Sequence, residues 1–390
     1  MREKPLVYIV AGEPSGDLLA ARLMAALRRR TSDQVEFVGI GGSNMQAQGL
    51  SSLFPMKELS VMGFAEVLPH IPHFLRRIGQ TVEDVKQKKP DVYISVDAPG
   101  FSLRVSKRLK KTGIPLVHYV APSVWAWKPK RAKKISAYLD HLLALLPFEP
   151  RYFTRHGLET TFVGHSALED QPRGLNREEC REELGLDPGC TTIVVLPGSR
   201  ESEISQLGSI FSQTLSNLHA SYRDSLQIVV PCVDQVSDSV QRLVERWPFK
   251  TVVCHGKDNK YRAFAAADVA LAASGTVSLE LAIASVPTVV GYRVKPLSAW
   301  IIRRFIKTRY YSLPNILLDE ELQPERIQEC CRPDILAADL KLFLRDPAMC
   351  RESDEGCARI VEMLSPEEGT PSDKAAEAVL EVIRKNQQSG

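Results

Sequence analysis

No stretch of the 390-residue chain approaches the ~20 consecutive apolar residues that a membrane-spanning helix needs. CxxC pairs are also missing. The eight cysteines, at 180, 190, 232, 254, 330, 331, 350 and 357, are dispersed. That pattern excludes a disulfide framework or a zinc site and reads as reduced cytosolic thiols. Charge of one sign is not in excess: Lys+Arg number 50 against Asp+Glu 47. A general nucleic-acid binder is therefore excluded, and any basic patch must be local. No signal-peptide pattern precedes the first apolar run at Leu6, and there is no internal repeat, low-complexity tract or complete GxGxxG fingerprint. These absences leave a cytosolic protein, with a membrane surface still open to it.

What is present is ordinary for a globular chain: 44% hydrophobic and 25% charged residues. The length suits about two domains, each large enough for a core. Short apolar runs alternate with helical periodicity throughout, as in doubly wound α/β domains. In the first half the runs are Pro5–Ala11, Val35–Ile40, Pro90–Asp97, Pro115–Val120, His141–Leu146 and Thr161–Val163. In the second they are Thr191–Leu196, Leu226–Val230, Lys250–Val253, Asp268–Ala272 and Pro287–Val290. The polar linker Gln171–Asn176 separates the halves, giving expected domains at 1–170 and 171–371. A closing helix, 372–390, is free to return to the first domain.

Several runs end in turns that carry chemistry. Ala273–Glu280 (ASGTVSLE) follows a strand and opens a helix. Ser274, Gly275 and Thr276 would present free helix N–H groups to a phosphate, with Glu280 one turn on to accept from sugar hydroxyls. Gly198, Ser199 and Arg200 after Leu196 repeat the theme, with a guanidinium able to grip phosphate bidentately. Asp97 ends its strand at the rigid turn Ala98-Pro99, where ligands bind in open parallel sheets. It is a candidate general base. Glu13, Ser15, Gly16 and Asp17 occupy the first turn, where acids suit sugar hydroxyls or a helix cap better than a phosphate.

Other segments are rich in apolar or aromatic residues. Leu59–Leu75 holds Val61, Met62, Phe64, Val67, Leu68, Ile71, Phe74 and Leu75, interrupted by Pro69 and Pro72. It reads as a core helix with a connector or as an apolar flap for lipid. Ser123, Trp125 and Trp127 precede a basic run, Lys128–Lys134, that suits an anionic headgroup or sugar phosphate. Trp300 and Phe305 sit among arginines in Ser298–Lys307, which has the composition of an interfacial helix. Asn315 follows Pro314 as a constrained polar position.

The ordered set GEPSGD (12–17), ELSVMGFAEVL (58–68), DAPGF (97–101), PSVWAW (122–127), LPGSRESE (196–203), ASGTVSLE (273–280), VVGYR (289–293) and SLPN (312–315) resembles the lipid-A-disaccharide synthase family over roughly residues 5 to 320. The resemblance implies a GT-B fold, two Rossmann-like domains facing across a cleft. It implies transfer from UDP-2,3-diacylglucosamine to 2,3-diacylglucosamine 1-phosphate (lipid X), inverting to a β-1,6 linkage and releasing UDP. No metal is implied, in keeping with the lack of a DxD-like motif in these segments. Asp97 matches the general base. Gly198, Ser199, Arg200 and the 274–276 turn would hold the departing pyrophosphate, Glu280 the ribose, and Asn315 the donor. Glu13, Ser15, Gly16, Ser123 and Trp125 are acceptor-side candidates. Acyl chains or the cytoplasmic face of the inner membrane would engage Val61, Met62, Phe64, Leu68, Ile71, Phe74, Leu75, Trp300 and Phe305. A homodimer is among the assemblies implied. Where the family commonly has DAPDF this chain has DAPGF, so Gly100 replaces an acid. Two rivals share parts of this pattern: another UDP-sugar enzyme such as a UDP-N-acetylglucosamine 2-epimerase, and a non-catalytic nucleotide-binding protein tethered to a membrane.

Overall fold

The computed structural model describes residues 4–59, 71–126, 129–172, 174–222, 225–294 and 308–389. The chain divides into two compact units, residues 1–166 with 364–390, and residues 167–363.

The first unit carries six parallel strands: β1 (Leu6–Ala11), β2 (Glu36–Ile40), β3 (Val92–Val96), β4 (Leu116–Tyr119), β5 (His141–Ala144) and β6 (Glu159–Phe162). Their order across the sheet is β2-β1-β3-β4-β5-β6. Strands covered on both faces become continuous apolar runs rather than alternating ones, and β1 and β3 are buried at every position. The chain moves outward from β1 to β2, then returns to the other side of β1 with β3. The switch point lies between β1 and β3, where Ala11 pairs with Val96.

Helices α1 (Pro14–Arg30), α2 (Ser43–Ala47), α3 (Ile71–Lys88), α4 (Ser102–Leu109), α5 (Lys130–Ser136) and α6 (Pro150–Thr154) connect these strands. Proline is tolerated in a first helical turn, where its missing N–H has no intrahelical partner. Pro14 accordingly opens α1, and α3 begins one residue before Pro72.

The second unit repeats the plan with β7 (Thr191–Leu196), β8 (Leu226–Cys232), β9 (Thr251–His255), β10 (Val269–Ala273), β11 (Thr288–Tyr292) and β12 (Glu325–Ile327), in the order β12-β11-β10-β7-β8-β9. Its switch point lies between β7 and β10, with Leu196 opposite Ala272. The helices are α7 (Arg177–Glu183), α8 (Glu201–Tyr222), α9 (Ser237–Val244), α10 (Lys257–Ala266), α11 (Thr276–Ile283), α12 (Leu313–Leu318), α13 (Pro333–Arg345) and α14 (Pro347–Leu364). β12 has no counterpart among the runs read from sequence. Its three residues are half-buried and edge the sheet, so no apolar pattern marks them.

The last helix, α15 (Pro371–Ser389), belongs to the first unit. Ala375, Ala376 and Val379 are fully buried in one cluster with Leu23, Met24 and Leu27 of α1. Small residues on α15 let the two helices approach closely, and Arg29–Asp373 at 2.8 Å and Lys385–Glu159 at 2.8 Å pin its flanks. The outgoing and returning chain touch: the His165 amide donates to the Leu364 carbonyl at 2.9 Å. Gly164 lies at φ 87°, and a Cβ there would fall 2.8 Å from Pro366. Only glycine fits.

Candidate active site

In the second unit both phosphate-type turns arise at the switch point, because β7 and β10 are sheet neighbours. A cavity of about 740 Å³ opens there. It is lined by Gly198, Ser199 and Arg200 from the first turn and Ser274, Gly275 and Thr276 from the second. A Cβ on Gly275 would meet nothing within 4 Å, so the backbone is open to a ligand. No side chain among the described residues caps the first turn of α11, leaving its N-terminal dipole facing the cavity.

Glu280 lines the same cavity. Both of its oxygens accept from Lys260 Nζ, at 2.9 and 3.0 Å. One ammonium leaves each carboxylate oxygen a further lone pair for a hydroxyl. Lys260 and Lys257 of α10 join Arg200 as cations lining the cavity. Sequence reasoning missed both lysines, because a charged helix start such as KDNK has no spacing that separates a ligand from a solvated face. Glu203 and Tyr292 are further lining residues. Burial first, and then the Glu203 carboxylate, push the Tyr292 phenol up, while Arg200 opposes the shift.

Asn315 does not line this cavity. Its side chain is fully buried and used by the chain itself. The amide donates to the Gln323 carbonyl at 2.7 Å and to Glu325 at 2.9 Å, and its oxygen accepts from the Gln323 amide at 2.9 Å. Gln323 in turn donates to the Ser278 carbonyl of α11 at 3.0 Å. Where a direct donor contact was expected from sequence, the structure places a brace behind the helix that carries the 274–276 turn.

In the first unit the switch point brings GEPSGD beside DAPGF. A Cβ on Gly12 would lie 2.9 Å from that of Ala98, and one on Gly16 would lie 3.3 Å from the Val96 carbonyl. Glycine therefore lets these two turns close on each other. Asp97 and Ala98 hold φ 50° and 44°, and Val120, one strand over, holds φ 81°. Left-handed backbone is unusual outside glycine, most of all for a β-branched residue, and such strain collects at functional sites. Burial raises the Asp97 carboxyl above its ordinary range, partly opposed by the Ala98 amide. Glu13 and Ser15 are exposed beside it and Gly16 is buried.

Asp17 has a different task. It is 2% exposed and accepts from the Gly42, Asn44 and Met45 amides and from the Asn44 side chain, at 2.7 to 3.2 Å. It caps α2 from a distance. Of its two sequence readings, sugar contact or cap, the structure places it in a cap.

Ser123 is exposed, and Trp125 is half-buried against Phe148, edge to face at 5.3 Å. Gly100 is exposed, and a Cβ there would meet nothing within 4 Å, so sterics do not require glycine at this position. Phe74 packs edge to face on Phe101 of DAPGF at 5.5 Å, and its neighbour Leu75 is 43% exposed. Val61, Met62, Phe64, Leu68, Trp300 and Phe305 lie outside the described residues, as does the side chain of Ile71. No helix among the described residues is long and apolar enough to cross a membrane.

Two parallel six-stranded units, each with a switch point in its sheet, define a fold class, the two-domain α/β fold of GT-B type. A putative UDP-N-acetylglucosamine 2-epimerase from Listeria monocytogenes has the same fold, with a TM-score of 0.65 at 12% identity over 99% of this chain and 98% of that one. A glycotransferase of kitacinnamycin scores 0.65 at 13% identity over 98% and 100%. Sequence then narrows the class. The family model for lipid-A-disaccharide synthetase matches residues 7–379, and the lipid-A-disaccharide synthase of Rhodospirillum centenum is 49% identical over 98% of this chain and 96% of its own. The chain belongs to the lipid-A-disaccharide synthetase family and is a glycosyltransferase of lipid A biosynthesis.

Proposed function

We propose that the chain condenses UDP-2,3-diacylglucosamine with 2,3-diacylglucosamine 1-phosphate, lipid X. The products are a β-1,6-linked disaccharide 1-phosphate and UDP, with inversion at the anomeric carbon. The observation that carries this reading is the cavity at the β7–β10 switch point, with Arg200, Lys257 and Lys260 set around two open turns and Glu280. Negative charge grows on the β-phosphate as the glycosidic bond breaks. Donors already oriented toward that charge stabilise the transition state without a reorganisation cost. Asp97 takes the proton from the acceptor 6-hydroxyl as its oxygen attacks. Its carboxyl, raised by burial, is the more basic for it. One base and one leaving-group site suit a single displacement with inversion.

The proposed reaction uses no metal, its charge being met by guanidinium, ammonium and helix N-terminus. The acylated substrates place the enzyme at the cytoplasmic surface of the inner membrane, with Leu75 and the neighbouring apolar segment as contacts. The test is disaccharide formation from both substrates in detergent micelles with EDTA present. Disaccharide phosphate supports the reading whole. Product only when Mg²⁺ is restored would overturn metal independence. UDP binding without disaccharide would favour the epimerase class, to be assayed next with UDP-N-acetylglucosamine.

A further inference from the structure

Glu203 stands in the first turn of α8 and folds back over the turn that precedes it. One of its oxygens accepts from the Ser199 amide at 2.8 Å, and the other lies 3.4 Å from Arg200 Nη1. Gly198 makes room for it. At φ 134°, a Cβ on Gly198 would fall 2.4 Å from the Glu203 Cβ and 2.7 Å from Oε2. The carboxylate lines the same cavity as the two open turns, and its charge is felt by the Tyr292 phenol across the site.

Carboxylate and phosphate oxygens seek the same partners, an amide N–H at a helix start and a guanidinium. They also repel one another at close range. An acid seated on the Ser199 amide and Arg200 thus holds two donors that the pyrophosphate would use. We propose that Glu203 is a resident anion of the pyrophosphate cradle, displaced by the phosphates when the nucleotide binds. It keeps Arg200 and the 198–200 turn ordered, weakens the hold on UDP and hastens its release. The inference rests on the UDP reading above and adds to it a residue that sets product release.

A fixed brace makes the opposite prediction, since loosening it would weaken nucleotide binding. Glu203→Gln separates the two, because glutamine keeps an oxygen for the Ser199 amide and removes only the charge. Titration calorimetry on the full chain, with UDP and with uridine, is the experiment. The expected result is UDP bound about threefold to tenfold more tightly by Glu203→Gln, the scale of one partly screened charge. Uridine, which carries no phosphate, should bind as before, and kcat should fall as release slows. UDP binding that is unchanged or weaker in the variant overturns the proposal. So does an equal gain for uridine, which would point to a reshaped pocket. Wild-type protein that binds no UDP would sink the UDP reading, and this inference with it. Wild-type binding without a gain in Glu203→Gln sinks this inference alone.

Discussion

The Trp125 indole N–H donates to a buried carboxylate, Glu149 Oε1, at 3.3 Å. The other oxygen of Glu149 accepts from the Leu145 and Leu146 amides at 3.2 and 3.1 Å. Glu149 is 3% exposed and joins the loop after β4 to the loop after β5, and β4 pairs with β3, the strand that Asp97 follows. Burial pushes its carboxyl up to about 7, with the Leu146 amide, the indole and the Leu145 amide opposing.

A carboxyl with a raised native pKa binds more protons folded than unfolded. Its stabilising effect is therefore complete below the ordinary carboxylate value and is lost as pH rises toward 7. Relative to Glu149→Gln, which does not titrate, wild-type stability should fall by roughly 3 kcal/mol between pH 4.5 and 7 and then level off. Urea unfolding of both proteins across that range measures it. Parallel curves would show that Glu149 titrates where an exposed glutamate does.

Asp97→Asn removes a base and keeps its shape. Turnover should drop at least about a hundredfold while UDP binding stays within about twofold. In the wild type, the acid limb of kcat/KM should lie above the ordinary carboxylate range, because burial raises Asp97. Near-normal turnover in Asp97→Asn would remove it as the base.

Lys260 lines the cavity at the β7–β10 switch point and holds Glu280 there. Lys260→Met keeps the stem against Tyr261 and Phe264, which the ammonium now overlies at 4.7 and 6.0 Å. It leaves Glu280 without its ammonium partner in the cavity where the proposed function seats the phosphates. UDP affinity should fall about tenfold, near 1.4 kcal/mol, with a smaller loss for uridine. Equal losses for the two ligands would place Lys260 away from the phosphates.

Asp17→Ala strips four hydrogen bonds from the start of α2 and should cost about 2–4 kcal/mol. Asp17→Asn should recover part of that. A thermal melt reads both. Activity lost without destabilisation would return Asp17 to the sugar-binding side.

The central strands were legible because parallel strands buried on both faces, such as β1 and β3, are near-continuous apolar runs, and every run read from sequence overlaps an observed strand. Edge strand β12 was not legible, having three residues and no apolar pattern. Asp17 and Asn315 show a second limit. A carboxylate or amide in a polar turn has the same composition whether it meets a ligand or the chain. Only the folded position of the partner groups, Gly42 for one and Gln323 for the other, decides which.

The sequence by itself determined the alternation of strand and helix, the small turns at helix starts and the family, because each rests on residues adjacent in the chain. Tertiary structure alone decided which turns share a site. Gly12 and Asp97 lie 85 positions apart, and Gly198 and Ser274 lie 76 apart. They meet because the chain reverses its direction across each sheet at β1–β3 and β7–β10. The long-range pairs Lys260–Glu280 and Trp125–Glu149 likewise follow from strand order, which local periodicity does not encode.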